Sequence, residues 1–231
     1  GMVNTMVNMP AVITLSFSMS LVPAVSSALT KKDQQGLQRM ISTGLKLALM
    51  IGSAAAVGMG LLSHQILRLL YASQPENCLE LGGQLLAIMS VGVLFLAVVQ
   101  TTTGMLQGLG KPSYPVKTLL VGIVAKTVLN YVLIGIPQIN VLGAAIATVV
   151  CYAIAALGNV YMVLKLSKTK LKPVDALVRP ALAAGGMGAA VWGFVRLMGG
   201  RLGNTMLTLG AVCLGVLVYA VLAFVLRALS K

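Results

Sequence analysis

Acidic residues are scarce in this 231-residue chain, which has only four Asp or Glu residues and one histidine. Charged residues of either sign make up 9% of it, against about 25% in an average soluble domain. A soluble fold of this size needs more polar side chains to cover its surface, and so few carboxylates make a paired acid–base site hard to build. The scarcity excludes an ordinary cytosolic enzyme, and we expect no enzymatic activity.

Residues that form disulfides or bind metals are also few. The three cysteines, Cys78, Cys151 and Cys213, are odd in number and widely spaced, and two lie inside apolar runs. They are typical of free thiols and form no metal-ligand spacing. This excludes a secreted disulfide scaffold, and we expect neither a metal nor a cofactor.

Apolar residues are abundant instead, at 58% of the chain, which excludes a disordered protein. A membrane helix needs roughly 20 apolar residues, and seven runs reach that length. The sequence therefore predicts an all-α, polytopic helical membrane protein with about seven transmembrane helices. The predicted spans are 6–29, 41–62, 84–106, 114–134, 141–164, 176–198 and 203–226.

The formal net charge of +13 indicates either a nucleic-acid binder or a membrane protein with basic cytoplasmic loops. The first class carries its basic patch on a polar body, which this chain lacks, so we expect no nucleic-acid partner. The loops after the first, third and fifth runs and the C-terminal tail hold most of the basic residues. By the positive-inside rule these segments, including the C-terminus, are cytoplasmic.

One lysine lies inside an apolar run. Lys126 is 11 residues past Pro115, which places it about 16 Å along the helix and near the middle of the bilayer. Tyr114, Thr118, Gly122, Lys126 and Asn130 recur every four residues and form a polar or small stripe that should face protein or water. Lys126 and Asn130 either line a transport cavity and contact an anionic or polar substrate, or Lys126 snorkels for structural reasons alone.

The third run carries a second polar face. Gln100, Thr103 and Gln107 recur at i, i+3 and i+7, so they share one side of a helix. These side chains either line a pathway or form hydrogen bonds between helices, each worth about 0.6 kcal/mol.

Five segments, taken in order, carry a family resemblance. They are Leu21-Val22-Pro23-Ala24-Val25-Ser26, Leu69-Leu70-Tyr71, Gln107-Gly108-Leu109-Gly110-Lys111-Pro112, Lys126-Thr127-Val128-Leu129-Asn130-Tyr131 and Gly143-Ala144-Ala145-Ile146-Ala147-Thr148. Together they resemble the C-terminal half of polysaccharide exporters of the MOP superfamily, in particular stage V sporulation protein B-like proteins and the lipid II and O-antigen flippases.

The resemblance implies the C-terminal portion of a MATE/MOP-type transporter, whose fourteen helices form two six-helix lobes plus two extra helices. Residues 1–164 would supply five helices of the C-terminal lobe, 165–175 a basic cytoplasmic loop, and 176–231 the two additional helices. This chain lacks counterparts of the first seven family helices, so we expect it to be a fragment, a truncated gene model or half of an assembly.

The resemblance also implies a function. The whole protein would be a bacterial inner-membrane flippase that moves a lipid-linked oligosaccharide or peptidoglycan precursor by alternating access. Lys126 would attract the anion, while Asn130, Gln100 and Gln107 line the cavity. Lys46 and Lys117, near the cytoplasmic ends, would guide the headgroup in. The expected partners are the lipid-linked sugar, membrane lipids and the missing N-terminal half.

Two alternatives stay open. A cation-coupled multidrug exporter of the same superfamily would need membrane carboxylates, which these runs lack but a missing half could hold. A non-transporting membrane scaffold in a glycan-synthesis complex is the other alternative, and the polar stripe of the fourth run disfavours it.

Overall fold

The computed structural model describes residues 2–136, 140–169, 177–199 and 203–225. These ranges contain eight α-helices and no strand, as the all-α prediction requires. The helices are α1 (Met2–Thr30), α2 (Gln34–Leu61), α3 (Ser63–Leu70), α4 (Glu76–Gly108), α5 (Ser113–Ile134), α6 (Asn140–Ser167), α7 (Arg179–Met198) and α8 (Asn204–Val225).

Seven of these helices are long and apolar enough to cross a membrane, which confirms the predicted fold class. Several begin outside the apolar runs. α2 starts at Gln34 and α4 at Glu76, each about two turns before the predicted span, because polar turns extend the helices beyond the bilayer core. α6 continues to Ser167, so the predicted basic loop at 165–175 begins later. Its residues 170–175 lie outside the described ranges, as does residue 226.

The eighth helix, α3, was not predicted. It is an eight-residue helix between α2 and α4 and packs on α4 and α8. Its His64 ring lies against Gly83 of α4, where an added Cβ would approach the ring to 2.4 Å. Arg68 near its end forms an exposed ion pair with Glu76. α3 therefore packs against the N-terminal part of α4.

α4 lies at the centre of the bundle and packs against α1, α2 and α6. Small residues bring the backbones close, as is usual where lipid provides no hydrophobic drive for helix association. A Cβ on Gly104 would lie 2.4 Å from the Ser18 carbonyl oxygen of α1. A Cβ on Gly52 of α2 would lie 3.1 Å from the Leu94 Cα of α4. Larger side chains at these glycines would separate the helices.

α7 and α8 pack against each other and are attached to the bundle through α2. The Tyr219 hydroxyl of α8 donates to the Met50 carbonyl of α2 at 2.8 Å. A Cβ on Gly188 of α7 would meet Val57 of α2 at 2.9 Å. An open apolar groove of about 490 Å³, lined in part by Leu61 and Trp192, runs between α2 and α7.

The end of the bundle where α1 and α6 finish is called the basic end here. It holds exposed Lys31, Lys111 and Lys168. At this end Gln34 of α2 donates from Nε2 to the Ser167 carbonyl at 2.6 Å. Gln38 of α2 donates from Nε2 to the Lys168 carbonyl at 3.0 Å. These bonds satisfy carbonyls at the end of α6 that the helix itself leaves unpaired.

Candidate functional site

α5 carries the residues with the strongest functional signal. It starts after a turn in which Gly110 has a φ of +70°, a left-handed conformation that favours glycine. Pro112 is its N-cap and Pro115 lies in its first turn, where a missing amide hydrogen costs no helical hydrogen bond. An apolar run then continues the helix to Ile134.

The polar stripe predicted on α5 faces α6. The Thr118 hydroxyl lies 2.6 Å from Asn159 Oδ1 of α6 and donates to it. One turn on, a Cβ on Gly122 would lie 2.7 Å from the Cys151 carbonyl oxygen and 3.0 Å from its Sγ. Only glycine fits this approach without a shift of one helix, so α5 and α6 meet along the stripe.

Lys126 follows Gly122 by one turn and is partly exposed. The one ion pair between described residues joins Arg68 and Glu76, so no described carboxylate neutralises Lys126. This leaves a positive charge at the edge of the α5–α6 contact.

Asn130 lies one further turn along the same stripe and is also partly exposed. Its Oδ1 atom is buried and accepts no hydrogen bond from the part of the chain that the structure describes. An unpaired buried carbonyl oxygen is costly, and the cost is recovered when a donor binds. Lys126 and Asn130 thus place an ammonium group one helical turn from a buried amide oxygen that has no described partner.

Gln100 lies elsewhere, at the crossing of α1 and α4. Its side-chain oxygen accepts a hydrogen bond from the Thr14 hydroxyl, and its backbone carbonyl accepts from Ser18 Oγ at 2.6 Å. These contacts favour a role in helix association. Thr103 donates to the Val99 carbonyl of its own helix, and Gln107 is exposed near the basic end.

The two remaining predicted residues also lie apart from Lys126. Lys46 is one turn before Met50, whose carbonyl binds Tyr219, so helix spacing places it on the α8 side of α2. Lys117 is exposed, and its Nζ lies 5.8 Å from the centre of the Tyr114 ring. It is separated from Lys126 by about 13 Å along α5. Of the six predicted residues, only Lys126 and Asn130 come together.

Asn159 was missed by the sequence reasoning. It is fully buried in α6, and its Nδ2 finds no partner among the described residues. Its one available signal was that it is an amide inside an apolar run. A polar residue at that depth is costly and faces protein or water, which is where the structure places it.

Metal chemistry receives no support from the described residues. They contain no cluster of three or more His, Cys, Asp or Glu side chains. The chemistry of the site is that of binding: the cation suits an anionic group, and the acceptor suits a hydroxyl or amide donor.

The sequence profile of the MatE family matches residues 1–132. Among curated proteins of Bacillus subtilis (strain 168), the chain is 28% identical over 161 residues to Lipid II flippase MurJ, covering 70% of this chain and 29% of MurJ. It is 25% identical to Stage V sporulation protein B, covering 74% and 32%. It is 32% identical to Probable multidrug resistance protein YpnP, covering 65% and 34%. The chain spans about a third of the length of these relatives.

Two solved structures share the fold. Lipid II flippase MurJ in an inward closed conformation has a TM-score of 0.75 at 18% identity, covering 98% of this chain and 48% of MurJ. An inward-facing multidrug resistance MATE family transporter has a TM-score of 0.60 at 16% identity, covering 90% and 52%. The profile match, which spans more than half of the chain, together with this fold identifies the chain as a multi-pass membrane protein of the MatE family within the MOP superfamily.

Proposed function

We propose that the chain forms part of a bacterial inner-membrane flippase that moves a lipid-linked oligosaccharide or a peptidoglycan precursor by alternating access. The observation that carries the proposal is the pair formed by Lys126 and Asn130. An unneutralised ammonium group lies one turn from an unpaired amide oxygen inside a span. An intramembrane cation of this kind usually faces a partner or a substrate, and a lipid pyrophosphate supplies the anion.

The rest of the transporter is the expected partner. α5 is the least buried of the seven spans and packs mainly on α6, so surface remains on it for another helix, for substrate and for lipid. The partial coverage of the relatives supports the same partner. In this arrangement the basic end faces the cytoplasm, with the C-terminus on that side, as the positive-inside rule expects.

Lys126→Ala in the whole transporter tests the proposal. We expect it to abolish complementation of a flippase-deficient strain while leaving the amount of membrane-inserted protein unchanged. Lys126→Arg keeps the charge and should retain activity, and Lys31→Gln removes an exposed charge from the basic end as a matched control. Normal complementation by Lys126→Ala would refute the role of this lysine.

A cation-coupled multidrug exporter is the second candidate. The observation that favours it is the 32% identity to a probable multidrug resistance protein. Resistance profiling separates the two: expression of the whole transporter should leave drug susceptibility unchanged if it is a flippase. A reproducible rise in resistance that depends on Lys126 would favour the exporter.

A non-transporting scaffold is the third candidate, and Lys126 and Asn130 give it no support. Proteoliposomes with a fluorescent lipid-linked sugar distinguish it. Stable binding to a synthase without any flipping would favour the scaffold.

A further inference from the structure

Two lysine–tyrosine pairs lie near the basic end of α5 and α6. Lys117 Nζ is 5.8 Å from the centre of the Tyr114 ring. Lys165 Nζ is 5.7 Å from the centre of the Tyr161 ring. Both lysines are exposed. The attraction between each ammonium group and the face of its tyrosine ring restricts where the lysine side chain points.

The two tyrosines lie at a similar height on neighbouring helices, because Tyr114 precedes Thr118 by four residues and Tyr161 follows Asn159 by two, which puts both about 3–6 Å nearer the basic end than the Thr118–Asn159 bond. Thr118, next to Lys117, bonds to Asn159, and a Cβ on Gly158 would lie 2.7 Å from Thr118 Cγ2. Lys165 follows Gly158 by seven residues, so it shares that face of α6 and lies about 10 Å nearer the basic end. Lys117 is only one residue from Thr118, so its backbone lies about 8 Å farther from the basic end than that of Lys165. Each ammonium group extends back toward its own tyrosine ring, so the two charged groups lie closer in height than the two backbones.

Apolar side chains continue from both lysines toward the middle of the bundle. Leu120 and Val124 follow Lys117 at i+3 and i+7 and are 55% and 64% exposed. Leu157, one turn before Tyr161, is 68% exposed. In a membrane these surfaces lie against acyl chains, with the ammonium groups at headgroup level.

No described carboxylate competes for these lysines. Glu76 and Glu80 lie at the opposite end of α4, and Asp33 accepts a hydrogen bond from the Gly36 amide at the start of α2. Among the described residues the charge around these lysines is therefore positive and favours an anionic headgroup, by about 1 kcal/mol for each lysine near the surface.

We propose that Lys117 and Lys165, each against the ring of its own tyrosine, Tyr114 and Tyr161, form a site for one anionic phospholipid of the leaflet at the basic end. We name it the α5–α6 lipid site. A lipid is favoured over free phosphate because the exposed apolar surface of α5 and α6 continues directly from the cations. The site requires membrane insertion but not the proposed transport function.

Native mass spectrometry of the full chain in a mild detergent tests the proposal, with phosphatidylglycerol and phosphatidylcholine as probes. We expect one tightly held phosphatidylglycerol per chain and much weaker retention of phosphatidylcholine. The double variant Lys117→Gln/Lys165→Gln should bind phosphatidylglycerol roughly thirtyfold more weakly, from the loss of two surface cations. The matched control is Lys31→Gln/Lys32→Gln, which removes two exposed lysines from the same end.

The variants alter exposed residues, and unchanged gel-filtration and circular-dichroism profiles would show that they fold. Selective loss in the Lys117/Lys165 variant would support the α5–α6 lipid site. Equal loss in both double variants would overturn it, because binding would then reflect the basic end as a whole. Equal retention of phosphatidylcholine, or complete displacement of the lipid by inorganic phosphate, would also overturn it.

Discussion

Gly122 provides the sharpest test of the α5–α6 contact. An alanine Cβ there would lie 2.7 Å from the Cys151 carbonyl oxygen, whereas ordinary contacts begin near 3.4 Å. The obstacle is backbone, so one helix must move by about 0.7 Å to relieve the overlap. Overpacking of this kind costs about 1–3 kcal/mol. Because α6 is the main neighbour of α5, we expect Gly122→Ala to lower the free energy of unfolding by that amount.

The matched control is Gly193→Ala on α7, where an added Cβ meets nothing within 4 Å. There the better helix propensity of alanine should leave stability unchanged or raise it by up to about 1 kcal/mol. Unfolding of both variants by sodium dodecyl sulfate from mixed micelles gives the comparison. If Gly122→Ala is as stable as the unaltered chain, the close approach of α5 to α6 at Cys151 is wrong.

Three further predictions concern other contacts. A double-mutant cycle of Thr118→Val and Asn159→Leu should give a coupling energy of about 0.6 kcal/mol, the average for hydrogen bonds between membrane helices, and additive effects would show that the bond is absent. Tyr219→Phe should destabilise the attachment of α8 to α2 by about 0.5–1.5 kcal/mol, measured as faster proteolysis of α8, and an unchanged rate would count against the bond to the α2 backbone. Arg68→Gln should change the unfolding free energy by less than about 1 kcal/mol, because its pair with Glu76 is exposed, and a larger loss would reveal a buried role.

The transmembrane plan could be predicted from the sequence because each span depends on its own composition. A run of about 20 apolar residues identifies a helix without knowledge of its neighbours. The stripe on α5 was predictable for the same reason, since the spacing of Thr118, Gly122 and Lys126 is local. The contacts of Thr118 and Gly122 with α6 confirm that this part of the stripe faces protein.

Contacts between distant segments could not be predicted in this way. Gln100 binds Thr14, which is 86 residues away, and the sequence gives no sign of that pairing. Lys46 lies on the side of α2 that contacts α8, and the sequence does not show which side of α2 that is. α3 could not be predicted from an apolar run, because its eight residues include His64 and Arg68, which interrupt such a run.

Transport by the whole protein tests the central claim most directly, and the measurement is the initial rate of lipid-linked sugar flipping in proteoliposomes. Lys126→Met keeps most of the length of the side chain but removes its charge. The proposed role predicts that this variant loses most of its flipping rate, that Lys126→Arg retains it, and that Lys31→Gln matches the unaltered protein. A Lys126→Met transporter that flips its substrate at the full rate would contradict the claim that this intramembrane charge acts on the substrate.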